Sequence, residues 1–435
     1  MGRFLTVMGA LLGISALADA ETLGQSYQRV LETHPAVIRS TLEVDRQRAR
    51  TDLSMSAFKP QLELSFSENR IDQETLSAQS EFDGQSNRAN VSQSLIDLAG
   101  LQGLKREQQL TESVSTRVLN VKARLAQQLT ERYVRLLGAQ SRQNAISELV
   151  QSLQSRLAQA TAMQQRGQLS RLDVLRVQSR LAERKAELSS AQSQVDRALA
   201  ALLELDPEIT IANVASPDTT RIDWPVVNER SALVDAMYQL HPELQALSQQ
   251  IDAEMFGLQA VERRRWPRLS LTASYEQSNI GSNNRQISDT DTTVYGLTLS
   301  WPLYRGGALS AEKTEQAAVV NQLETDHLAT GRFLKRSLDE AIAQFENGRR
   351  AAAVESENVE GQRQAVDVLT QAYDRGAVSQ SELLDALDNL ASARISRDQA
   401  ILDGLIGWIS IRVLSGQFQP SDLDFVDAVA AQFRD

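Results

Sequence analysis

The 435-residue chain contains no cysteine, only nine prolines and three histidines, and few aromatic side chains. Without cysteine, a disulfide scaffold, a cysteine-ligated zinc site, a thiol nucleophile and a lipidated N-terminal cysteine are excluded. The net charge of −11 argues against a protein that coats nucleic acid or an anionic lipid surface. No glycine-rich phosphate loop, catalytic-triad order or metal-binding spacing occurs, so neither an enzyme nor a cofactor is predicted. Alanine, glutamine, serine, leucine and arginine are abundant instead, a composition typical of long helices.

The first twenty residues have the features of a secretory signal peptide. Arg3 supplies a positive start, residues 5–17 are mostly apolar, and Ala18-Asp19-Ala20 fits a cleavage site. Beyond them no run of roughly 18 apolar residues occurs, so no membrane-spanning helix is predicted. The sequence therefore predicts a signal peptide over residues 1–20 and an exported mature chain that begins at Glu21.

The rest of the sequence contains an internal duplication. Its landmarks recur in one order at nearly constant spacing, and a repeat of about half the chain is far too long for a solenoid. We therefore predict one duplicated unit, with its first copy over residues 21–206 and its second over residues 225–415. The paired landmarks are His34-Pro35 with His241-Pro242 and Pro60-Gln61-Leu62 with Pro267-Arg268-Leu269, both 207 residues apart, and Arg166-Gly167 with Arg375-Gly376, 209 residues apart.

Stretches without proline predict long helices. No proline occurs between residues 60 and 207 or between residues 302 and 420, which leaves room for two long helices in each copy. The apolar residues over 114–136 advance in steps averaging about 3.67 residues, and nearer the following turn the steps average about 3.5. Such helices are straight at one end and supercoiled at the other. We expect them to pack as coiled coils that turn near Gly167 and Gly376.

Four segments alternate apolar and polar side chains as strands do. Each has about the length of a tilted strand that crosses an outer membrane. Four strands cannot close a barrel alone, so they form either a soluble antiparallel sheet or a barrel completed by other subunits. The predicted fold class is an α+β membrane protein, with long antiparallel α-helical coiled coils forming a helical barrel and four β-strands per subunit completing a 12-stranded trimeric β-barrel. The strands are predicted at residues 60–72, 87–98, 267–280 and 292–303.

Aromatic and basic residues flank the predicted strands. The aromatic side chains are expected either to mark the membrane interface or to pack as ordinary apolar groups. The run Arg263-Arg264-Arg265 is either a solvated helix face or lies at the periplasmic edge of the membrane. The predicted interface aromatics are Phe58, Trp266, Trp301 and Tyr304.

Together these motifs resemble the TolC family of trimeric outer-membrane efflux and secretion channels. The resemblance covers essentially the whole mature chain. It rests on the paired His-Pro motifs, on the strand starts at Pro60 and Pro267, on the strand-to-helix junction over residues 300–307, and on the tip motif over residues 373–386. In the tip motif, Tyr-x-x-Gly and a serine precede an acidic residue and Leu-Asp-Ala.

The resemblance implies a passive export duct of a tripartite efflux pump or a type I secretion system. It implies a homotrimer in the outer membrane and its lipid, with the helical part in the periplasm, and no nucleic-acid partner. An inner-membrane transporter, ABC-type or proton-driven, would deliver substrate together with a periplasmic adaptor. An equatorial region would be built from residues 207–238 and 415–435. The alternative function is the periplasmic adaptor itself, which would lack the duplication and the four strands.

The acidic residues after the second tip turn are the candidate pore constriction. Glu382, Asp385 and Asp388 are spaced by three on one helical face, and three subunits would place nine such carboxylates around the axis. Rings of this kind select cations. The family's constriction acids match Glu382 and Asp385, whereas Asp388 is added from its spacing alone. The alternative is an acidic helix start that faces water.

A closed gate needs links between neighbouring coiled coils. In the family, a tip tyrosine bonds to an aspartate on the other copy's helix, and the matching pair is Tyr373 and Asp173. A second family link uses a basic residue two positions after the tip glycine, where this chain has Val378. The residues that could replace it are Arg375, Arg171 and Arg176.

Overall fold

The computed structural model describes residues 22–75, 78–209, 222–282 and 290–433. The signal-peptide prediction for residues 1–20 and the middle of the predicted equatorial segment, residues 210–221, lie outside the described residues. Among the described residues, no helix combines the length and the apolar composition needed to span a bilayer.

The same order of two short helices, two strands and two long helices occurs twice along the chain. The first set is α1 (Leu23–Thr33), α2 (Pro35–Ser56), β1 (Gln61–Thr75), β2 (Ala78–Ile96), α3 (Leu98–Gln165) and α4 (Arg171–Leu203). The second set is α5 (Arg230–Leu240), α6 (Pro242–Arg263), β3 (Arg268–Ser282), β4 (Thr290–Ser300), α7 (Ala308–Asp374) and α8 (Gln380–Leu414), followed by α9 (Asp422–Gln432). The exact limits of the two copies stay a prediction.

The two His-Pro motifs begin α2 and α6 in the same way. His34 Nδ1 accepts a hydrogen bond from the Ala36 N–H, and His241 Nδ1 accepts one from the Glu243 N–H, each at 3.2 Å. Proline follows at the first helical position, where its missing N–H costs nothing. Both histidines therefore act as helix caps.

The four strands form one antiparallel sheet in the order β1-β2-β3-β4. One face is apolar over the half nearest the helices, where the cross-strand partners Leu271 and Leu297 are both exposed leucines side by side. The opposite face is polar and holds an ion pair between Arg88 and Glu276, with Nη2 and Oε2 2.8 Å apart. Among the described residues, β1 and β4 each have a partner on one side only.

Strand β2 is longer than its alternation predicts. It begins at Ala78, and the hairpin pairs backbone groups as far as Thr75 and Ala78. The polar sequence here looks like an exposed loop, but ladder hydrogen bonds join backbone groups and do not require apolar side chains. Strand β4, in contrast, ends at Ser300, just before Pro302, which cannot donate to a ladder.

The helices pack in the same order as the strands. Helix α2 packs on α3, α3 on α6 and α6 on α7, while α3 pairs with α4 and α7 with α8 as two antiparallel hairpins. The largest apolar core joins α3 and α8 to α1 and α9, around Leu136 and Leu405. A second core joins α5 and α6 to α7 around Met237 and Leu338. A third lies toward the tip of the hairpins.

Candidate gate at the helical tip

Both helical hairpins turn at a glycine with positive φ. Gly167 and Gly376 each have φ of 74°, and a Cβ added to either would meet nothing within 4 Å. Backbone conformation rather than space therefore requires glycine at these turns. The N–H of the next residue reaches back to a carbonyl in the last helical turn, Gln168 to Met163 and Ala377 to Ala372, both at 2.9 Å.

An apolar core holds α8 against the first hairpin near these turns. Leu384 of α8 is buried together with Leu153 of α3 and with Val177 and Leu181 of α4. Its neighbour Leu383 is also buried. This packing fixes the rotation of α8 about its axis and so determines where the three predicted acids lie.

Glu382 is exposed and tied to the start of its own helix. Its Oε2 accepts a hydrogen bond from the Ser379 N–H at 3.1 Å, and Ser379 Oγ accepts one from the Glu382 N–H at 3.3 Å. This reciprocal pair is a capping box. The carboxylate lies at the helix N-terminus, where the helix dipole favours negative charge.

Asp385 and Asp388 meet two arginines of α4. Arg180 binds both acids, with Nη2 3.1 Å from Oδ1 of Asp385 and Nη1 hydrogen bonded to Oδ2 of Asp388. Arg184 donates from Nε to Oδ1 of Asp388 at 3.0 Å. The Asp388 side chain is only 10% exposed, whereas that of Asp385 is 56% exposed. The structure thus brings Asp385 and Asp388 into one cross-helix network, from which Glu382 is separate.

The network continues to α3. Arg184 Nη1 lies 2.5 Å from Oε2 of Glu187, and Arg142 Nη2 lies 2.9 Å from Oε1 of the same carboxylate. Partial burial lowers the pKa of Arg184, but the hydrogen bonds and charges of Glu187 and Asp388 outweigh burial and raise it overall. This series of ion-paired side chains therefore joins α3, α4 and α8 beside the apolar core.

Tyr373 lies buried at the end of α7 without a hydrogen bond to Asp173. Burial is the main cause that raises the pKa of its hydroxyl, Arg156 lowers it, and the charges of Asp173 and Asp374 raise it further. Asp173 is thus within electrostatic reach of the ring. Among the described residues, the Asp173 carboxylate instead accepts a hydrogen bond from Ser170 Oγ at the start of its own helix, at 2.6 Å. The Tyr373–Asp173 link stays a prediction.

The arginines that join α4 to α8 were not among the predicted replacements for the basic link. In the described part of the chain, Arg176 pairs with Asp173 on its own helix, and Arg171 and Arg375 form no ion pair. The sequence does contain a pattern that points to these arginines, since Arg180 and Arg184 are four residues apart and so lie on one helical face. Two cations on one face of a helix can pair with two acids that share a face of another helix, as acids spaced by three do.

The predicted interface aromatics lie at the junction of sheet and helices. Trp266, Trp301 and Tyr304 are exposed. Phe58 is half-buried and packs beside the start of α3, where a Cβ on Gly100 would lie 3.2 Å from its ring. The assignment of these four residues to a membrane interface stays a prediction.

Comparison with known proteins gives matches along nearly the whole chain. A family model described as "Outer membrane efflux protein" matches residues 233–417. The chain is 25% identical to the alkaline protease secretion protein AprF of Pseudomonas aeruginosa, over 98% of this chain and 92% of that protein. It is 22% identical to the outer membrane protein TolC of Vibrio cholerae, over 98% and 97%. The solved structure of the Campylobacter jejuni CmeC outer membrane channel superposes with a TM-score of 0.78 at 14% identity, covering 95% of this chain and 89% of that one, so the two share a fold.

Proposed function

The chain belongs to the TolC family of outer-membrane channel proteins, and from this premise we infer that it is a duct for efflux or secretion. It resides in the cell outer membrane, with its helical part in the periplasm. The predictions of family, fold class, localisation and channel function are thereby confirmed. The family consists of channel proteins rather than enzymes, and its members are trimeric and work with adaptor proteins and inner-membrane transporters.

The observation that carries this function is the two-faced sheet. Its apolar face suits lipid and its polar face, with the Arg88–Glu276 ion pair, suits an aqueous lumen. The sheet continues directly into helices that pack in the same order, so one lumen extends from membrane to periplasm. A periplasmic adaptor has no need of such a sheet, which disfavours the alternative function.

Open edges on both layers support assembly of three copies. Strands β1 and β4 are the edges of the sheet, and helices α2 and α7 are the edges of the helical layer. Strand β4 and helix α7 of one subunit could therefore pair with β1 and α2 of the next. An unpaired strand edge in lipid is costly, and ring closure removes it. The edge helices also expose apolar side chains that a neighbour would cover, namely Ile38, Leu42 and Leu53 on α2 and Leu328, Phe333 and Val354 on α7.

The gate is proposed to lie where α4 and α8 meet. Glu382 and Asp385 would supply the carboxylates that face the narrowed lumen. Asp388 would instead hold the two hairpins together through Arg180 and Arg184, because its side chain is almost fully enclosed between them. Parting of α4 and α8 would break this link and widen the tip.

Fractionation and conductance test the duct. The full-length chain, produced in a Gram-negative host, should be recovered in the outer membrane as a heat-labile trimer, and the purified trimer should conduct ions in planar bilayers. A soluble periplasmic monomer without conductance would contradict the duct and support the adaptor.

The cargo is proposed to include secreted protein, since the similarity to the alkaline protease secretion protein AprF extends over almost the full length of both chains. A deletion strain should then lose one or more proteins from the culture medium, and the intact gene should restore them. Unchanged secreted protein together with greater sensitivity to small toxic compounds would point to efflux instead.

A further inference from the structure

An open pocket of about 480 Å³ lies where α6 ends and α7 begins. Four of its lining side chains are basic. Arg264 and Arg265 follow the last residue of α6, Arg305 lies in the turn before α7, and Lys313 lies in the first turns of α7. The sheet ends directly beside it, since residues 302–305 that follow β4 form part of the wall.

The carboxylates near this pocket do not balance its cations. Lys313 Nζ lies 2.6 Å from Oε1 of Glu262. Glu312 is shared, with Oε2 2.8 Å from Arg264 Nη1 and Oε1 3.9 Å from Arg305 Nη1. Arg265 forms no ion pair among the described residues. The ion pairs of the described residues thus set two carboxylates against four cations, and the pocket keeps a positive surplus.

The pocket adjoins the apolar face of the sheet. Tyr295, Leu297, Leu299 and Trp301 alternate along β4 and its end on that face, and all are exposed. The Trp301 Nε1–H donates to the carbonyl oxygen of Arg265 at 3.1 Å, so the basic end of α6 meets the sheet on its apolar side. The following Leu303 is also exposed. Cations therefore lie at the level where apolar surface ends and the periplasmic helices begin.

We propose that this pocket binds the phosphate of an anionic phospholipid in the periplasmic leaflet of the outer membrane, with the acyl chains against the apolar face of the sheet. The proposal rests on the proposed function, because it requires the sheet to lie in a bilayer. Guanidinium groups match phosphate oxygens in a two-pronged geometry, which favours the arginines as ligands. The headgroup of a zwitterionic lipid would place its own cation beside the excess positive charge of the pocket, which is unfavourable. A lipid whose headgroup has a net negative charge is therefore preferred.

Lipid retention by the purified trimer tests the proposal. Trimers in detergent are loaded with phosphatidylglycerol or with phosphatidylcholine of the same acyl chains, and retained lipid is counted by native mass spectrometry. The wild-type trimer should retain phosphatidylglycerol preferentially. Because each cation near a membrane surface contributes about fivefold to the affinity for anionic lipid, Arg264→Gln with Arg265→Gln should weaken that retention about 30-fold. Arg265→Gln alone breaks no ion pair among the described residues and should weaken the retention about fivefold.

The matched control removes two exposed arginines from α7 outside the pocket, by Arg332→Gln with Arg349→Gln. It should retain lipid as the wild type does. Equal losses in control and pocket variants, or equal retention of the two lipids by the wild type, would overturn the proposal. Displacement of the lipid by an equimolar concentration of soluble glycerol phosphate would also overturn it and assign the pocket to free phosphate esters. Trimer assembly and conductance are measured on the same samples, so loss of lipid binding in a conducting trimer leaves the duct function standing.

Discussion

Arg184 donates a hydrogen bond from Nε to Oδ1 of Asp388 over 3.0 Å, and so joins the two helical hairpins of one subunit. Asp388 accepts from Arg180 through its other oxygen, and its side chain is 10% exposed. Removing the partners of an enclosed charge costs about 3–5 kcal/mol, because the remaining charge is left without compensation. The contact between α4 and α8 therefore depends on these arginines more than on surface ion pairs nearby.

Arg180→Gln combined with Arg184→Gln is expected to open the tip. If the links stabilise the closed arrangement by about 3 kcal/mol, their loss moves the equilibrium toward the open state by about 100-fold. Single-channel recordings in planar bilayers should then show a larger open probability or conductance. Lys185→Gln removes an exposed cation of the same helix that has no partner among the described residues, and it should leave the recordings unchanged. Wild-type recordings from the double variant would remove the α4–α8 link from the gate.

Tyr373→Phe combined with Asp173→Ala tests the second proposed link. Phenylalanine keeps the buried ring and removes only the hydroxyl, so packing at the end of α7 is preserved. We expect a higher single-channel conductance if the tyrosine bonds to the aspartate in the closed trimer. Unchanged conductance, with the trimer intact, would leave the arginine network as the link that holds the tip.

Neutralising Glu382 and Asp385 should change ion selectivity more than gating, because Asp388 keeps its hydrogen bonds to both Arg180 and Arg184. Glu382→Gln with Asp385→Asn removes carboxylates that the narrowed lumen would present to ions, so the reversal potential in a salt gradient should move toward zero. Asp388→Asn should affect selectivity less and open probability more, since that side chain is enclosed. Glu357→Gln with Asp326→Asn changes two exposed acids of α7 and serves as the matched control. An unaltered reversal potential in the first variant would exclude Glu382 and Asp385 from the constriction.

Local patterns in the sequence predicted most of the fold. Alternation of apolar residues revealed the four strands, because the half of one sheet face nearest the helices carries mostly apolar side chains. Gly167 and Gly376 marked the turns, since only glycine adopts their positive φ readily. Strand β2 was predicted too short, because its paired outer half carries polar side chains that read as a loop.

Contacts between distant residues were harder to predict. The spacing that predicts Asp388 at the pore beside Glu382 and Asp385 does not state how the helix is rotated, and the burial of Leu383 and Leu384 sets that rotation. The arginine partners of Asp388 lie about half the chain away and share no local pattern with it. The spacing of residues in a single sequence shows which side chains share one face of a helix, but it does not show which helices pack against each other.

Gly348→Ala should destabilise the subunit although alanine is the better helix former. A Cβ at Gly348 would lie 2.5 Å from the backbone nitrogen of Gly404, so α7 and α8 would have to separate. Such overpacking costs about 1–3 kcal/mol, and the apparent melting temperature of the trimer should fall. Gly361→Ala lies in the same helix with nothing within 4 Å of the new Cβ, and it should instead stabilise by about 0.5–1 kcal/mol. Equal shifts for both variants would contradict the close packing of α7 on α8.

His241 should make the stability of the subunit depend on pH. Burial, aided by the charge of Arg124, lowers the pKa of His241 to about 4, whereas an unfolded histidine titrates near about 6.5. Between these values the unfolded chain binds more protons, so stability is complete above about pH 6.5 and is lost as the pH falls toward about 4. The full loss would be about 3 kcal/mol per subunit.

His241→Asn tests this dependence, because asparagine has an oxygen that can replace Nδ1 as the cap acceptor for the Glu243 N–H but does not titrate. The fall in apparent melting temperature between pH 7.5 and pH 5, followed by helical circular dichroism, should be smaller in His241→Asn than in the wild type. His34→Asn makes the same exchange at the matching cap of α2, where the histidine is less buried, and it should leave the wild-type fall in place. Carboxylates such as Glu243 remain in both variants, so any change they cause cancels in this comparison. Identical pH profiles for the wild type and both variants would show that protonation of His241 does not oppose folding.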